Sequence, residues 1–218
     1  MRSRVAVLAS GGLDSAILVA DFLRQDCDVQ PIYVRFGLAW EEVEEAHLRR
    51  FLDTLPDSGA QPLVALEFPI ADVYGSHWSV SGTEVPDART SDDAVYLPGR
   101  NLLLLAKSSV WCALNGVPTI ALGTLKGNPF ADSSREFLGL VESVVHTAMN
   151  WPFEVVTPFA GLTKSDVLER GHGLHLEHTF SCIDPQAGRH CGRCNKCEER
   201  RRAFEALQLD DVTQYAAR

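Results

Sequence analysis

What this chain has little of narrows its possibilities first. No apolar run approaches the roughly 20 residues that a membrane-spanning helix needs. Positive charge is scarce, with 20 Lys and Arg against 29 Asp and Glu and a formal net charge of −9. Sequence-blind nucleic-acid binding draws its affinity from neutralising many phosphates, so this balance argues against it. No internal repeat or low-complexity tract is present. The familiar phosphate loops are also missing. Gly161-Leu162-Thr163-Lys164-Ser165 lacks the second glycine of a Walker loop, and Gly171-His172-Gly173 begins a dinucleotide fingerprint without its third glycine. The basic opening Arg2-Ser3-Arg4 before Val5-Ala6-Val7-Leu8-Ala9 imitates a signal peptide, but Gly11, Gly12 and Asp14 end the apolar stretch too early. Residues 5–9 are therefore read as a first central strand, and the protein is expected to be soluble and cytoplasmic, with no membrane or nucleic-acid partner.

What is present begins with Ser10-Gly11-Gly12-Leu13-Asp14-Ser15. A strand that stops at two glycines and turns at once into a helix exposes backbone N–H groups, aimed by the helix dipole at an anion. Glycine lets the chain close on phosphate oxygens, Ser10 and Ser15 bring hydroxyls, and Asp14 suits the Mg²⁺ that accompanies a nucleotide.

Beyond this turn, short apolar runs at 5–9, 29–34, 63–68, 119–122 and 153–156 alternate with helical periods at 15–23, 41–55, 101–115, 135–149 and 164–170. Ser133-x-x-Glu136 and Thr163-x-x-Asp166 read as caps for the last two helices. The alternation predicts an α/β fold, a parallel sheet flanked by helices, with ligands beyond the carboxyl ends of its strands. The polar segment 74–93 interrupts the pattern, either lining the site or forming a surface loop. Phe36 and Trp40 suit stacking on a flat ring or the core. Arg200-Arg201-Arg202, beside Glu198 and Glu199, reads as a solvated helix face.

Of the 6 cysteines, Cys182, Cys191, Cys194 and Cys197 cluster near the end of the chain. Their spacing supplies the four thiolates of a closed tetrahedral zinc shell, a structural site with no open position, and a helix from 198 to 207 would fix the last ligand. An iron–sulfur centre is the other thiolate chemistry for Cys-x2-Cys-x2-Cys. His190 reads as a neighbour of the shell or a surface group.

Ser-Gly-Gly-x-Asp-Ser resembles the signature of the PP-loop (N-type) ATP pyrophosphatases, which split ATP between its α and β phosphates and generally adenylate a substrate oxygen. Three further stretches match: Leu97-Pro98-Gly99-Arg100-Asn101, Thr157-Pro158-Phe159-Ala160-Gly161-Leu162-Thr163-Lys164, and Ser181-Cys182 followed by His190-Cys191-Gly192-x-Cys194-x-x-Cys197-x-x-Arg200. With the cysteine cluster they make the chain similar, from about residue 5 to about residue 204, to the 7-cyano-7-deazaguanine synthase family.

That resemblance implies an adenine-nucleotide alpha-hydrolase-like (Rossmann-like) fold, with a PP-loop ATP-binding domain over 1–175 and a zinc-binding helical segment over 176–218. It implies ATP, Mg²⁺ and one structural Zn²⁺ per chain, a deazapurine carboxylate as small-molecule substrate, and free ammonia as amine donor. It leaves a homodimer open. Ser10, Gly11, Gly12, Leu13 and Ser15 would hold the departing pyrophosphate, with Asp14 toward Mg²⁺ and Lys164 as a point charge. Arg100 would grip phosphate or the substrate carboxylate, with Asn101 beside it. Lys126 and Asp132 flank a variable loop, where Asp132 would read a guanine-like edge or simply precede a helix.

Two stretches depart from the family's commonest pattern. Arg35-Phe36-Gly37-Leu38 stands where Asp-Tyr-Gly-Gln is usual, and 123–132 replaces a Gly-Val-Asn start and a Tyr-Ser-Gly-Tyr-Pro-Asp-Cys stretch. The alternatives are therefore an adenylating relative with another carboxylate or amine, or a nucleotide-binding regulatory module without catalysis.

Overall fold

The computed structural model describes residues 2–56 and 58–216. Its strands are β1 (Arg4–Leu8), β2 (Asp28–Arg35), β3 (Val64–Glu67), β4 (Thr119–Ala121) and β5 (Glu154–Val156). They form one sheet in the order β3-β2-β1-β4-β5, and every pairing is parallel. The helices are α1 (Leu13–Arg24), α2 (Glu41–Leu52), α3 (Ala71–Tyr74), α4 (Trp78–Ser81), α5 (Arg100–Leu114), α6 (Arg135–Met149), α7 (Lys164–Arg170) and α8 (Asn195–Ala206). Each expected strand and helix is present, with ends that shift by a few residues.

The alternation of side chains along β1 divides the core in two. Val5, Val7 and Ala9 join α1, Leu48 and Phe51 of α2, and Ala203 and Phe204 of α8. Ala6 and Leu8 face Leu105 and Cys112 of α5 and Leu138 and Val141 of α6. Burying a side chain such as Leu48 or Phe51 contributes roughly 1.5–3 kcal/mol. With crossovers from β1 running to one face and the chain returning to β4 on the other, strand order reverses between β1 and β4. The crevice at that reversal is where open parallel sheets hold ligands.

Three sequence expectations change. The α6 cap is Ser134, whose Oγ accepts from the Phe137 N–H at 3.2 Å, because Ser133 is drawn into a 3-10 turn and donates its own hydroxyl to the Phe130 carbonyl. At α7 the Thr163–Asp166 capping box forms as expected. Segment 74–93 is pinned to the cysteine region: Ala88 N–H donates to the Arg193 carbonyl and Asn195 N–H to the Pro86 carbonyl, both at 3.0 Å. Among the described residues no helix is long and apolar enough to cross a membrane.

Arg200 is the third change. Its neighbours Arg201 and Arg202 keep contact with solvent, but Arg200 is 1% exposed. It donates to the Leu176 carbonyl at 2.9 Å, to Thr179 Oγ1 at 2.8 Å and to Thr213 Oγ1 at 2.7 Å, with its plane over Phe204. One fixed fork thus ties α8 to the segments before and after it. Arg200→Met is expected to leave these buried acceptors unpaired and lower stability by about 3 kcal/mol or more in urea denaturation. Arg202→Ala should cost under about 0.5 kcal/mol; equal losses would contradict the assigned roles.

Candidate functional site

The site is built outward from the end of β1. Gly11 has φ +79°, and a Cβ there would meet the Glu44 carbonyl and Leu48 Cβ, each at 3.2 Å. Only glycine fits this left-handed corner against α2. Gly12 then caps α1, and the first bond of the helix runs from Ala16 N–H to the Gly12 carbonyl at 3.0 Å. The amides of Leu13, Asp14 and Ser15 precede that bond and form the positive end of the helix dipole. Ser15 braces the turn, accepting from Ser10 N–H at 3.1 Å, while Leu13 sends its side chain into the core. Gly123, at the end of β4, approaches within 3.3–3.4 Å of Asp14 and Ser15 in the same sense, so a side chain there would crowd the loop.

A pocket opens between this loop and α5. Ser10, Asp14, Ser15, Arg100, Asn101 and Asp132 all line it. Among the described residues, Arg100 Nε is buried there with no hydrogen-bond partner. Asp132 is engaged on both oxygens, accepting from Asn101 N–H at 3.0 Å and from Asn101 Nδ2 at 3.3 Å. It thereby holds the first turn of α5 while also lining the pocket. Lys126 is not brought into the pocket. It is exposed, its backbone N–H is bound to the Leu162 carbonyl, and its charge acts on Asp166. Trp40 is core, stacked on Trp78 at 5.6 Å, while Phe36 is 1% exposed and presents part of the pocket wall.

Lys164 stands on the other side of Asp14. Its ammonium lies 2.7 Å from Asp14 Oδ2 and 3.2 Å from Glu199 Oε1, and Lys196 reaches Glu199 Oε2 at 2.6 Å. Burial pushes Glu199 up, but Lys164 and Lys196 outweigh it and hold the carboxyl down at about 2. Burial would lower Lys164, yet Asp14 and Glu199 keep it raised and cationic. Among the described residues, Asp14 Oδ1 is buried with no partner, an open acceptor of the kind a hard divalent cation takes.

Glu44 and Tyr33 also line the pocket and were missed by sequence reasoning. Within the acidic run 41–45 Glu44 looks solvated, but it lies four and seven residues before Leu48 and Phe51, on the core-facing stripe. That period was the available signal.

At the other end of the chain the Sγ atoms of Cys182, Cys191, Cys194 and Cys197 lie within 4.8 Å of one another, all buried. Metal–sulfur bonds of about 2.3 Å place tetrahedral sulfurs about 3.8 Å apart; Cys194 to Cys182 is 3.8 Å and Cys191 to Cys197 is 3.9 Å. Backbone N–H groups of Cys191 and Asp184 point at Cys182 Sγ, and those of Arg193 and Cys194 at Cys191 Sγ. Donors aimed at sulfur favour thiolates, so the residues fit a single bound metal ion. His190 is buried beside the cluster, accepting from Ser181 N–H at 3.1 Å, and burial with the Arg200 charge pushes it down to about 3.

The model of the queuosine biosynthesis protein QueC family matches residues 4–208. The chain is 31% identical over 236 residues to a 7-cyano-7-deazaguanine synthase of Syntrophobacter fumaroxidans, covering 98% of this chain and 97% of that one. It is 29% identical over 225 residues to the enzyme of the same name from Methanothermobacter thermautotrophicus, covering 97% and 99%. Among solved structures, the U34-tRNA thiolase NcsA from Methanococcus maripaludis, with its [4Fe-4S] cluster, superposes with a TM-score of 0.53 at 13% identity, over 95% of this chain and 67% of that one. That last likeness speaks to the fold alone.

Elemental analysis of the purified chain is expected to find one metal ion per molecule. Cys194→Ser should lose it together with soluble yield and thermal midpoint, since binding energy at such a site is folding energy. Full metal content in that variant would exclude the cluster as the site.

Proposed function

The chain belongs to the queuosine biosynthesis protein QueC family, and from that premise we propose that it converts 7-carboxy-7-deazaguanine and ammonia to 7-cyano-7-deazaguanine at the expense of ATP. It is an ATP-dependent ligase. The observation that carries the reading is the single pocket at the β1–β4 reversal, which joins the helix N-terminus to the Arg100 guanidinium. Chemistry at phosphorus depends on positioning and on neutralising charge. Backbone amides at 12–15 and the Ser10 hydroxyl hold the leaving pyrophosphate, with Lys164 adding its charge. Asp14 Oδ1 is the group for Mg²⁺, which supplies charge neutralisation of the phosphates. Arg100 offers a planar fork to the substrate carboxylate or the α-phosphate, and Asn101, held by Asp132, stands beside it. For the cysteine cluster we propose Zn²⁺, because the sulfurs gather as closely as one tetrahedral ion requires.

The substrate carboxylate attacks the α-phosphorus, and pyrophosphate leaves. Ammonia then displaces AMP to give the amide, and a second activation by ATP dehydrates it to the nitrile. The chain's exposed apolar stripe, Leu102, Val110 and Leu114 of α5 beside Leu140 and Val144 of α6, is the face that a homodimer would cover.

Supplied with 7-carboxy-7-deazaguanine, ammonium, ATP and Mg²⁺, the protein should yield the nitrile by mass spectrometry. A product that stops at the amide, or none, would favour a different carboxylate at the divergent 123–132 loop. Asp14→Ala and Lys164→Ala should each reduce AMP release at least about 100-fold without loss of bound metal; turnover persisting in both would displace the phosphate site.

A further inference from the structure

Glu44 is a carboxyl buried where the core stripe of α2 would accept an apolar side chain. Its Cγ lies 3.6 Å from where a Gly11 Cβ would stand, directly behind the glycine turn, and Glu44 lines the pocket shared with Ser10 and Arg100. Tyr33 of β2 donates its hydroxyl to Glu44 Oε2 at 2.7 Å. Burial and Glu44 itself raise Tyr33, which keeps its proton and remains a donor. The charged groups that act on Glu44 are Arg100 from α5 and Glu41 from its own helix. Burial lifts the carboxyl, Arg100 and hydrogen bonds from Tyr33 and Trp40 pull it back, and it settles at about 7. A carboxylate so placed takes up protons near neutral pH without first being stripped of a salt-bridge partner.

We propose that Glu44 is the proton acceptor for the nitrogen chemistry of this pocket. The inference rests on the adenylating reading above and deepens it. When ammonia attacks the acyl adenylate, the C–N bond forms, the C–O bond to AMP breaks, and a proton must leave the nitrogen. When the amide oxygen attacks the second ATP, pyrophosphate leaves and the nitrogen gives up another proton. As the C–O bond of that adenylate breaks to release AMP, the last N–H proton departs and the nitrile remains. Every hydrogen that ammonia brings is thus removed beside the phosphate loop, and Glu44 is the carboxylate there with capacity to take it. Departing AMP and water carry the proton away between steps.

The test separates nitrogen chemistry from adenylation. Pyrophosphate exchange into ATP is measured with 7-carboxy-7-deazaguanine, and nitrile formation is measured from the corresponding amide with ATP and Mg²⁺, which removes ammonia's own titration. In the native chain nitrile formation should rise with pH through about 7. Glu44→Gln should lower it about 100-fold or more relative to exchange and abolish that rise. Tyr33→Phe should retain nitrile formation but move the rise to higher pH, because the carboxylate loses a donor. A native pH profile in Glu44→Gln, or an equal fall in exchange and nitrile formation, would overturn the role. Absence of exchange in the native chain would instead overturn the adenylating reading, and this role with it.

Discussion

The left-handed corner at Gly11 is the constraint on which the rest of the molecule depends. It lets β1 end against the backbone of α2, so that the next residues begin α1 beside the pocket, which Asp14 and Ser15 line. The carbonyl of Gly11 then accepts the Phe180 N–H at 2.7 Å. That bond joins the glycine turn to the segment that carries Cys182, the first cysteine of the cluster. The corner is therefore held from α2 on one side and from the C-terminal segment on the other.

The balance of charge around the corner follows from this geometry. The protein as a whole is acidic, yet Arg100 lines the pocket at the start of α1, and Lys164 stands behind it on Asp14. Lys164 is never left alone in a low-dielectric surrounding, since Asp14 and Glu199 share it and Lys196 shares Glu199 in turn. An uncompensated buried charge costs several kcal/mol. A chain of alternating signs avoids that cost whether Lys164 faces carboxylates or phosphates. The local field can thus suit an anionic ligand although the net charge does not.

The tight turn after β1 was legible because backbone conformation demands glycine there, and the strands because continuous apolar runs between helical periods leave little choice for a sheet covered on both faces. The cysteine spacing was legible for the same reason that it folds, since few arrangements close around one ion. One misreading and one omission share a cause. Arg200 was read by its charge and charged neighbours and Glu44 was passed over among acidic ones, although each occupies the buried stripe of its helix, beside Cys197 and Phe204 in one case and Leu48 and Phe51 in the other. Period outranks composition at such positions, because the helix face decides the environment before the side chain's polarity does. The Asp132–Asn101 pairing joins residues 31 apart, and Lys126 stands exposed with its backbone N–H on the Leu162 carbonyl. Such tertiary choices leave no local mark in the order of residues.

The bond between Phe180 and Gly11 gives the far end of the chain a mechanical part to play. On the reading proposed above, the knuckle of cysteines would act as a strut: whatever stiffens it would steady the nucleotide's cradle, and free-energy linkage would make the influence mutual. A chain cut after α7 would keep the motif that draws the eye, yet its cradle would stand without a back wall. Evolutionary tinkering with the tail would thus retune nucleotide grip at a distance, with no residue of the loop exchanged.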